Sequence, residues 1–205
     1  MNYTELRKKY GDGTKTNNYE YPSHFFSPWD DFTYNIPRWE ILFKNFKNLP
    51  NLKFLELGCA QGRASHWLCD EILTGENSKL YCVDILKSRE YILKDIKEPI
   101  IIKFEDNLKP IINKNKCEFI NTSTENYLKN TKLKFDFIYI DASHDPVDIL
   151  DDAIGSFKKL KNGGIIIFDD YGWGNCRYGI DGFLSAYRDK YKLLYKSWQV
   201  LIQKL

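Results

Sequence analysis

The sequence predicts an α/β domain, a largely parallel β-sheet with helices on both faces. Three observations predict it. Short, nearly continuous apolar runs recur at Lys53–Cys59, Leu80–Ile85, Cys117–Asn121, Phe135–Asp141 and Ile165–Asp169. Stretches with helical spacing separate them, as at Leu150, Ala153, Ile154 and Phe157. Polar residues collect where the runs end, at Asp84, Asn121 to Ser123, Asp141 and Asp169-Asp170. In a parallel sheet those ends share one edge, and ligands bind there.

The elements follow in order. Residues 1–20 are polar and rich in Gly, Asn, Thr and Lys, which predicts a loose arm. Residues 21–205 read as a single domain, with 21–50 as an N-terminal lid and helix. Residues 21–39 are dense in aromatics but broken by Pro22, Pro28 and Pro37, so they form either a packed loop or a lid over a cleft. Pro37 suits a helix start, with Trp39, Leu42, Phe43 and Phe46 on one face. The first strand leads into a helix over Arg63–Thr74. A polar helical stretch from about Ser88 and a helix within 99–115, interrupted by Pro110, follow the second strand. A short helix through Glu125 and Leu128 follows the third. After the fourth strand, Asn162-Gly163-Gly164 stops the helix of Leu150 and Phe157. A last helix carries Ile180, Phe183, Leu184 and Tyr187. Tyr191–Ser197 and Gln199–Lys204 close the chain as a hairpin.

Composition narrows the function. The 205 residues are 43% hydrophobic and 28% charged, with a net charge of +2, so no strong field points to nucleic acid or membrane. There is neither an apolar run near 20 residues nor an apolar leader, which predicts a cytoplasmic protein. The five cysteines include no Cys-x-x-Cys pair, and Cys59, Cys69 and Cys82 sit in apolar runs. They read as buried thiols in a reducing compartment.

The chemistry concentrates at the strand ends. Gly58 and Gly62 form a Gly-x-x-x-Gly turn between strand and helix, where backbone can approach a ligand without a Cβ in the way. The same turn also reads as a plain strand-to-helix connection. Asp84 lies 22 residues after Gly62, where a carboxylate can accept both hydroxyls of a ribose or cap a helix. Thr122-Ser123-Thr124-Glu125 reads as a capping box. Asp141, Asp169 and Asp170 converge at two adjacent strand ends, and like charges so placed call for a counter-ion. A hard divalent cation such as Mg²⁺ suits three carboxylates, and His144 can take a proton from a hydroxyl beside it. Helix capping and loop hydrogen bonds are the alternative use of the same residues.

Glu56-x-Gly58-x-x-x-Gly62 resembles motif I of the class I S-adenosylmethionine (SAM)-dependent methyltransferases. Ile140-Asp141-Ala142-Ser143-His144, Asn162-Gly163-Gly164 and Asp169-Asp170-Tyr171 look like the family pattern Ile-Asp-Gly-x-His, Pro-Gly-Gly, Asp-Asp-Tyr, and the likeness spans roughly residues 25–205. The resemblance implies a Rossmann-like, seven-stranded, mostly parallel sheet in the order 3-2-1-4-5-7-6, with the last strand antiparallel. It implies SAM bound by Glu56, Gly58, Gln61, Gly62, Asp84, Ser123 and Asp141, with Ser123 near the adenine. The layout is similar to that of metal-dependent sugar O-methyltransferases, which implies Mg²⁺ on Asp141, Asp169 and Asp170, and His144 with Asp141 as the catalytic residues. The implied acceptor is a hydroxyl of a small molecule, a sugar or nucleotide-sugar, and a homo-oligomer is left open. The catechol-type enzymes have Asn at the position of Asp170 and Lys at that of His144, so a catechol acceptor is not implied. Metal-free methylation and a SAM-binding partner subunit are the competing functions.

Overall fold

The computed structural model describes residues 19–25, 30–85 and 104–205. Most of the expected arm and the polar stretch from Ser88 lie outside the described residues. The described helices are α1 (Ile36–Phe43), α2 (Arg63–Trp67), α3 (Phe104–Asn113), α4 (Thr124–Asn130), α5 (Pro146–Lys159) and α6 (Cys176–Ala186). The strands are β1 (Lys53–Leu57), β2 (Lys79–Asp84), β3 (Cys117–Asn121), β4 (Phe135–Ile140), β5 (Leu160–Phe168), β6 (Tyr191–Lys196) and β7 (Val200–Lys204). The chain divides into two compact units. One holds Leu52–Cys59, Leu80–Ile85 and Glu118–Leu205, and the other holds Met1–Asn51, Ala60–Lys79 and Leu86–Cys117.

The first unit carries the sheet, in the order β3-β2-β1-β4-β5-β7-β6. β4 runs parallel to β1 and β5, while β7 is antiparallel to both β5 and β6. This is the expected fold class and strand order. The central strands are apolar because they are covered throughout: Phe137 to Ile140 and Ile165 to Phe168 are all buried. Leu55, Ile138, Ile149, Phe157, Ile166 and Phe183 belong to the continuous core beneath α4, α5 and α6. Pro146 opens α5, and the Asp145 carboxylate accepts the Val147 N–H at 2.8 Å, a cap that sets where the helix starts.

One boundary differs from expectation. The helix stops at Lys159 and the strand starts at Leu160, before the Asn-Gly-Gly signal. Leu160 pairs with Phe135 and Ile165 with Phe137, so residues 161–164 bulge opposite Asp136. Gly163 permits the bulge with a φ of +77°. Lys161 holds the Asp136 carboxylate at 2.7 Å across it.

The second unit is helical. A 3₁₀ turn at Thr33–Asn35 leads into α1, with Pro37 in its first turn. Phe32, Trp39, Phe43 and Trp67 are all buried, with ring centroids 4.9 Å apart for Phe32–Trp39 and 6.1 Å for Trp39–Trp67. Within the aromatic 21–39 segment, Phe32 and Trp39 are thus packed. The expected Arg63–Thr74 helix changes form midway: after Trp67 the chain widens into a π turn over Leu68–Ile72, closed by the Leu73 N–H to the Leu68 carbonyl at 2.8 Å. All five cysteines are buried thiols outside any disulfide. Among the described residues no helix is long and apolar enough to cross a membrane.

Candidate active site

The sheet unit builds its candidate site at the carboxyl ends of the parallel strands. Leu57, Ile140 and Phe168 lie in register on β1, β4 and β5. The ladder then continues one step beyond the strands. The Asp141 N–H donates to the Leu57 carbonyl at 2.8 Å, the Asp169 N–H to Ile140 at 3.0 Å, and the Gly58 N–H to Val83 at 2.9 Å. Backbone bonds therefore hold Gly58, Asp141 and Asp169 at one edge, the edge at which β2 ends in Asp84.

Gly58 is required there for a reason the sequence did not show. Its φ is +81°, and a Cβ on it would lie 2.0 Å from the Asp141 carbonyl oxygen. The close approach is to the neighbouring strand, with or without a ligand. Gly62, in the helical unit, has a φ of +83°, and a Cβ there would meet Leu108 at 2.7 Å. Gln61, beside it, is 2% exposed, and both its amide nitrogen and oxygen lack a hydrogen-bond partner. Its main-chain carbonyl accepts from Asn107 at 2.9 Å, so the loop is pinned while the amide is left unsatisfied.

Asp84 is buried, and its Oδ2 accepts the Cys59 N–H at 2.9 Å. The carboxylate is thus oriented by the glycine loop. Ser123 is the N-cap of α4, accepting the Asn126 N–H at 3.2 Å, so the capping use of that segment is present. Glu56 is 2% exposed and accepts from the Cys82 thiol at 3.7 Å, within the sheet.

The three aspartates do not form one open cluster. One ligand atom each from Asp141, His144 and Asp170 lies within 4.8 Å of the others. His144 Nε2 is 2.9 Å from Asp170 Oδ2, and Asp170 adopts a φ of +55° to present that carboxylate. Asp169 turns inward instead and is 7% exposed. Its Oδ1 accepts the Asp170 N–H at 2.9 Å and Gln199 Nε2 at 3.2 Å, and its Oδ2 accepts the Tyr139 hydroxyl in a short hydrogen bond. The same hydroxyl lies 3.0 Å from Asp141 Oδ2. Tyr139 carries one proton between two carboxylates. Burial raises the Asp169 carboxyl above its ordinary range although the Tyr139 bond works against it, and burial with the two aspartates holds Tyr139 well above 10.

Tyr139 and Gln199 are the site residues that sequence reasoning missed. Tyr139 carries a signal: it places a hydroxyl inside an apolar central strand, and a buried hydroxyl needs a partner. Gln199 comes from the far end of the chain and carries none. The cavity lined by Asp141, Ser143, His144, Asp169, Asp170 and Cys176 has a volume of about 10 Å³. It has room for about one water or one small ion.

Residues 55–171 match the family described as "Methyltransferase domain". No curated protein matches the chain. Among solved structures, SMU.1697c of Streptococcus mutans, in complex with SAH, is 15% identical, with a TM-score of 0.62 over 83% of this chain and 97% of that one. An rRNA methylase from Streptococcus thermophilus is 12% identical, with a TM-score of 0.57 over 83% and 95%. MycE, from the mycinamycin biosynthetic pathway and in complex with Mg and SAH, is 14% identical, with a TM-score of 0.60. It covers all of this chain, which spans 55% of MycE's length. At such identities the likeness shows the fold. With the family match over more than half its length, the chain belongs to this methyltransferase family, and its enzyme class is that of the class I, SAM-dependent methyltransferases.

Proposed function

We propose that the protein methylates a hydroxyl of a small molecule, a sugar or nucleotide-sugar, with SAM as donor, a divalent cation at the carboxyl edge and His144 as general base. The observation that carries this reading is the convergence of Asp141, His144 and Asp170 within 4.8 Å. Two carboxylates that close supply oxygen donors for a divalent cation, with the imidazole beside them as base. MycE, whose structure holds Mg and SAH, supports the reading by fold. The net charge of +2 gives no support to a nucleic-acid acceptor.

The residues fit SAM. Asp84, oriented by the Cys59 N–H, would accept ribose hydroxyls, with Ser123 and Gly58 beside it at the strand ends. SAM supplies an electrophilic methyl group, and the protein supplies orientation and a base. Asp141 and Asp170 would hold Mg²⁺, which lowers the pKa of a hydroxyl when bound. Asp169 would act behind them, fixing Tyr139 and through it Asp141. His144 is 60% exposed on its side chain, so its ring is open to an acceptor. Its Nδ1 would take the hydroxyl proton, and the 2.9 Å contact of Nε2 with Asp170 would stabilise the imidazolium so formed. That same pair favours a second reading, in which a His144–Asp170 dyad activates the acceptor without metal.

The test is methyl transfer from labelled SAM to a panel of diol-bearing sugars and sugar nucleotides, with and without EDTA. Turnover that stops in EDTA and returns with Mg²⁺ supports the first reading. Full turnover in EDTA, lost in His144→Ala, supports the dyad.

A further inference from the structure

A second cluster of ligating groups lies inside the sheet unit, apart from Asp141, His144 and Asp170. Glu56, Cys59 and Cys82 each offer one ligand atom, and all three atoms lie within 4.8 Å of one another. Glu56 is 2% exposed, Cys59 4% and Cys82 fully buried. The Cys82 thiol donates to Glu56 Oε2 at 3.7 Å. The Cys59 thiol reaches the Val83 carbonyl at 3.6 Å and the Glu56 carbonyl at 3.9 Å.

From this we propose a binding site for a soft divalent cation of the zinc class, held by Cys59 Sγ, Cys82 Sγ and a Glu56 carboxylate oxygen. Two thiolates select such an ion over Mg²⁺, which prefers oxygen throughout. The distances fit. Tetrahedral zinc, with Zn–S about 2.3 Å and Zn–O about 2.0–2.2 Å, separates its ligand atoms by about 3.6–3.8 Å. The Cys82–Glu56 pair already stands at 3.7 Å, and the other pairs need close by no more than about 1 Å. The exchange balances: one divalent ion and two thiols give a dithiolate–carboxylate complex and two protons in solution. The fourth position falls to water or an outside thiol.

The position has a consequence for the glycine loop. The backbone N–H of Cys59 orients Asp84, and its thiolate would bind the ion. A bound ion therefore braces the loop from beneath. The proposal stands apart from methyl transfer, since none of its steps uses donor or acceptor.

The experiment is an anaerobic titration of the reduced full chain with Co²⁺, read by thiolate-to-cobalt charge-transfer absorption and by proton release. The expected result is a band that saturates at one equivalent with two protons released per ion. Cys59→Ser and Cys82→Ser should each lose the band, whereas Cys176→Ser keeps it. An ion at Asp141, His144 and Asp170 gives no sulfur band, so the two sites are told apart. If a serine variant does not fold, wild-type protein decides: in moderate urea, where the buried thiols become reachable, Co²⁺ should protect Cys59 and Cys82 from alkylation, read by peptide mass. No band, a band that survives both serine substitutions, or no protection overturns the site.

Discussion

Replacing Tyr139 with Phe removes a single oxygen from the floor of the site and leaves the packing of β4 unchanged. The lost group donates to Asp169, which is 7% exposed, and lies 3.0 Å from the more open Asp141. Asp141 can recover a partner from water, so the cost falls on Asp169, which keeps the Asp170 N–H and Gln199. A hydrogen bond to a buried charge contributes about 1.5–3 kcal/mol, and Tyr139→Phe should destabilise the fold by about that much at pH 8. For a chain of this length the melting temperature should drop by about 3–12 °C. The cost should depend on pH. The folded pKa of Asp169 is raised, so the native state holds its proton longer than the unfolded chain, and stability declines as pH rises from the unfolded value through the folded one. The Tyr139 bond moderates that rise, and without it the window of decline widens upward. Urea unfolding at pH 4 and pH 8 tests this. A penalty equal at the two values, or none at pH 8, would refute the role given to Tyr139.

Three further outcomes are expected. Asp152 is buried on α5 near Asp148, Asp151 and Glu125, and burial first, then these charges, pushes its carboxyl up to about 6. Its ionised form is disfavoured in the fold, so stability falls as pH rises from 3.8 to about 6, and Asp152→Asn should stabilise the protein at pH 7 by up to about 3 kcal/mol and remove that fall in urea unfolding. Gly58→Ala should destabilise by at least about 2 kcal/mol in the same assay even without ligand, because its Cβ meets the Asp141 carbonyl at a φ of +81°. His144→Ala should lower kcat by about 10²–10⁴-fold with SAM affinity unchanged, measured once an acceptor is found.

Much of the fold was legible because apolar runs such as Phe137 to Ile140 cannot be exposed on either face of a sheet, and their polar ends marked the site edge. The strand order came from the family resemblance, since β6 and β7 pair at positions no periodicity specifies. The π turn after Trp67 was not legible, because Leu68, Cys69 and Ile72 keep a helical pattern whichever turn carries them. The Asn-Gly-Gly bulge has the same composition as a helix stop. At the site, residue types were readable and orientations were not. Asp169 and Asp170 are neighbours in the chain and point to different uses, Asp169 to a buried tyrosine and Asp170 to His144. That division depends on the φ of +55° at Asp170, which only the fold reveals.

The carboxyl edge of the sheet is proposed to bind SAM through Asp84. Titration calorimetry of S-adenosylhomocysteine against the wild-type chain and Asp84→Ala tests it most directly. One site per chain is expected, weakened by about 1–3 kcal/mol in the variant through loss of charge-assisted hydrogen bonds to the ribose. Equal affinity in the two proteins would contradict it.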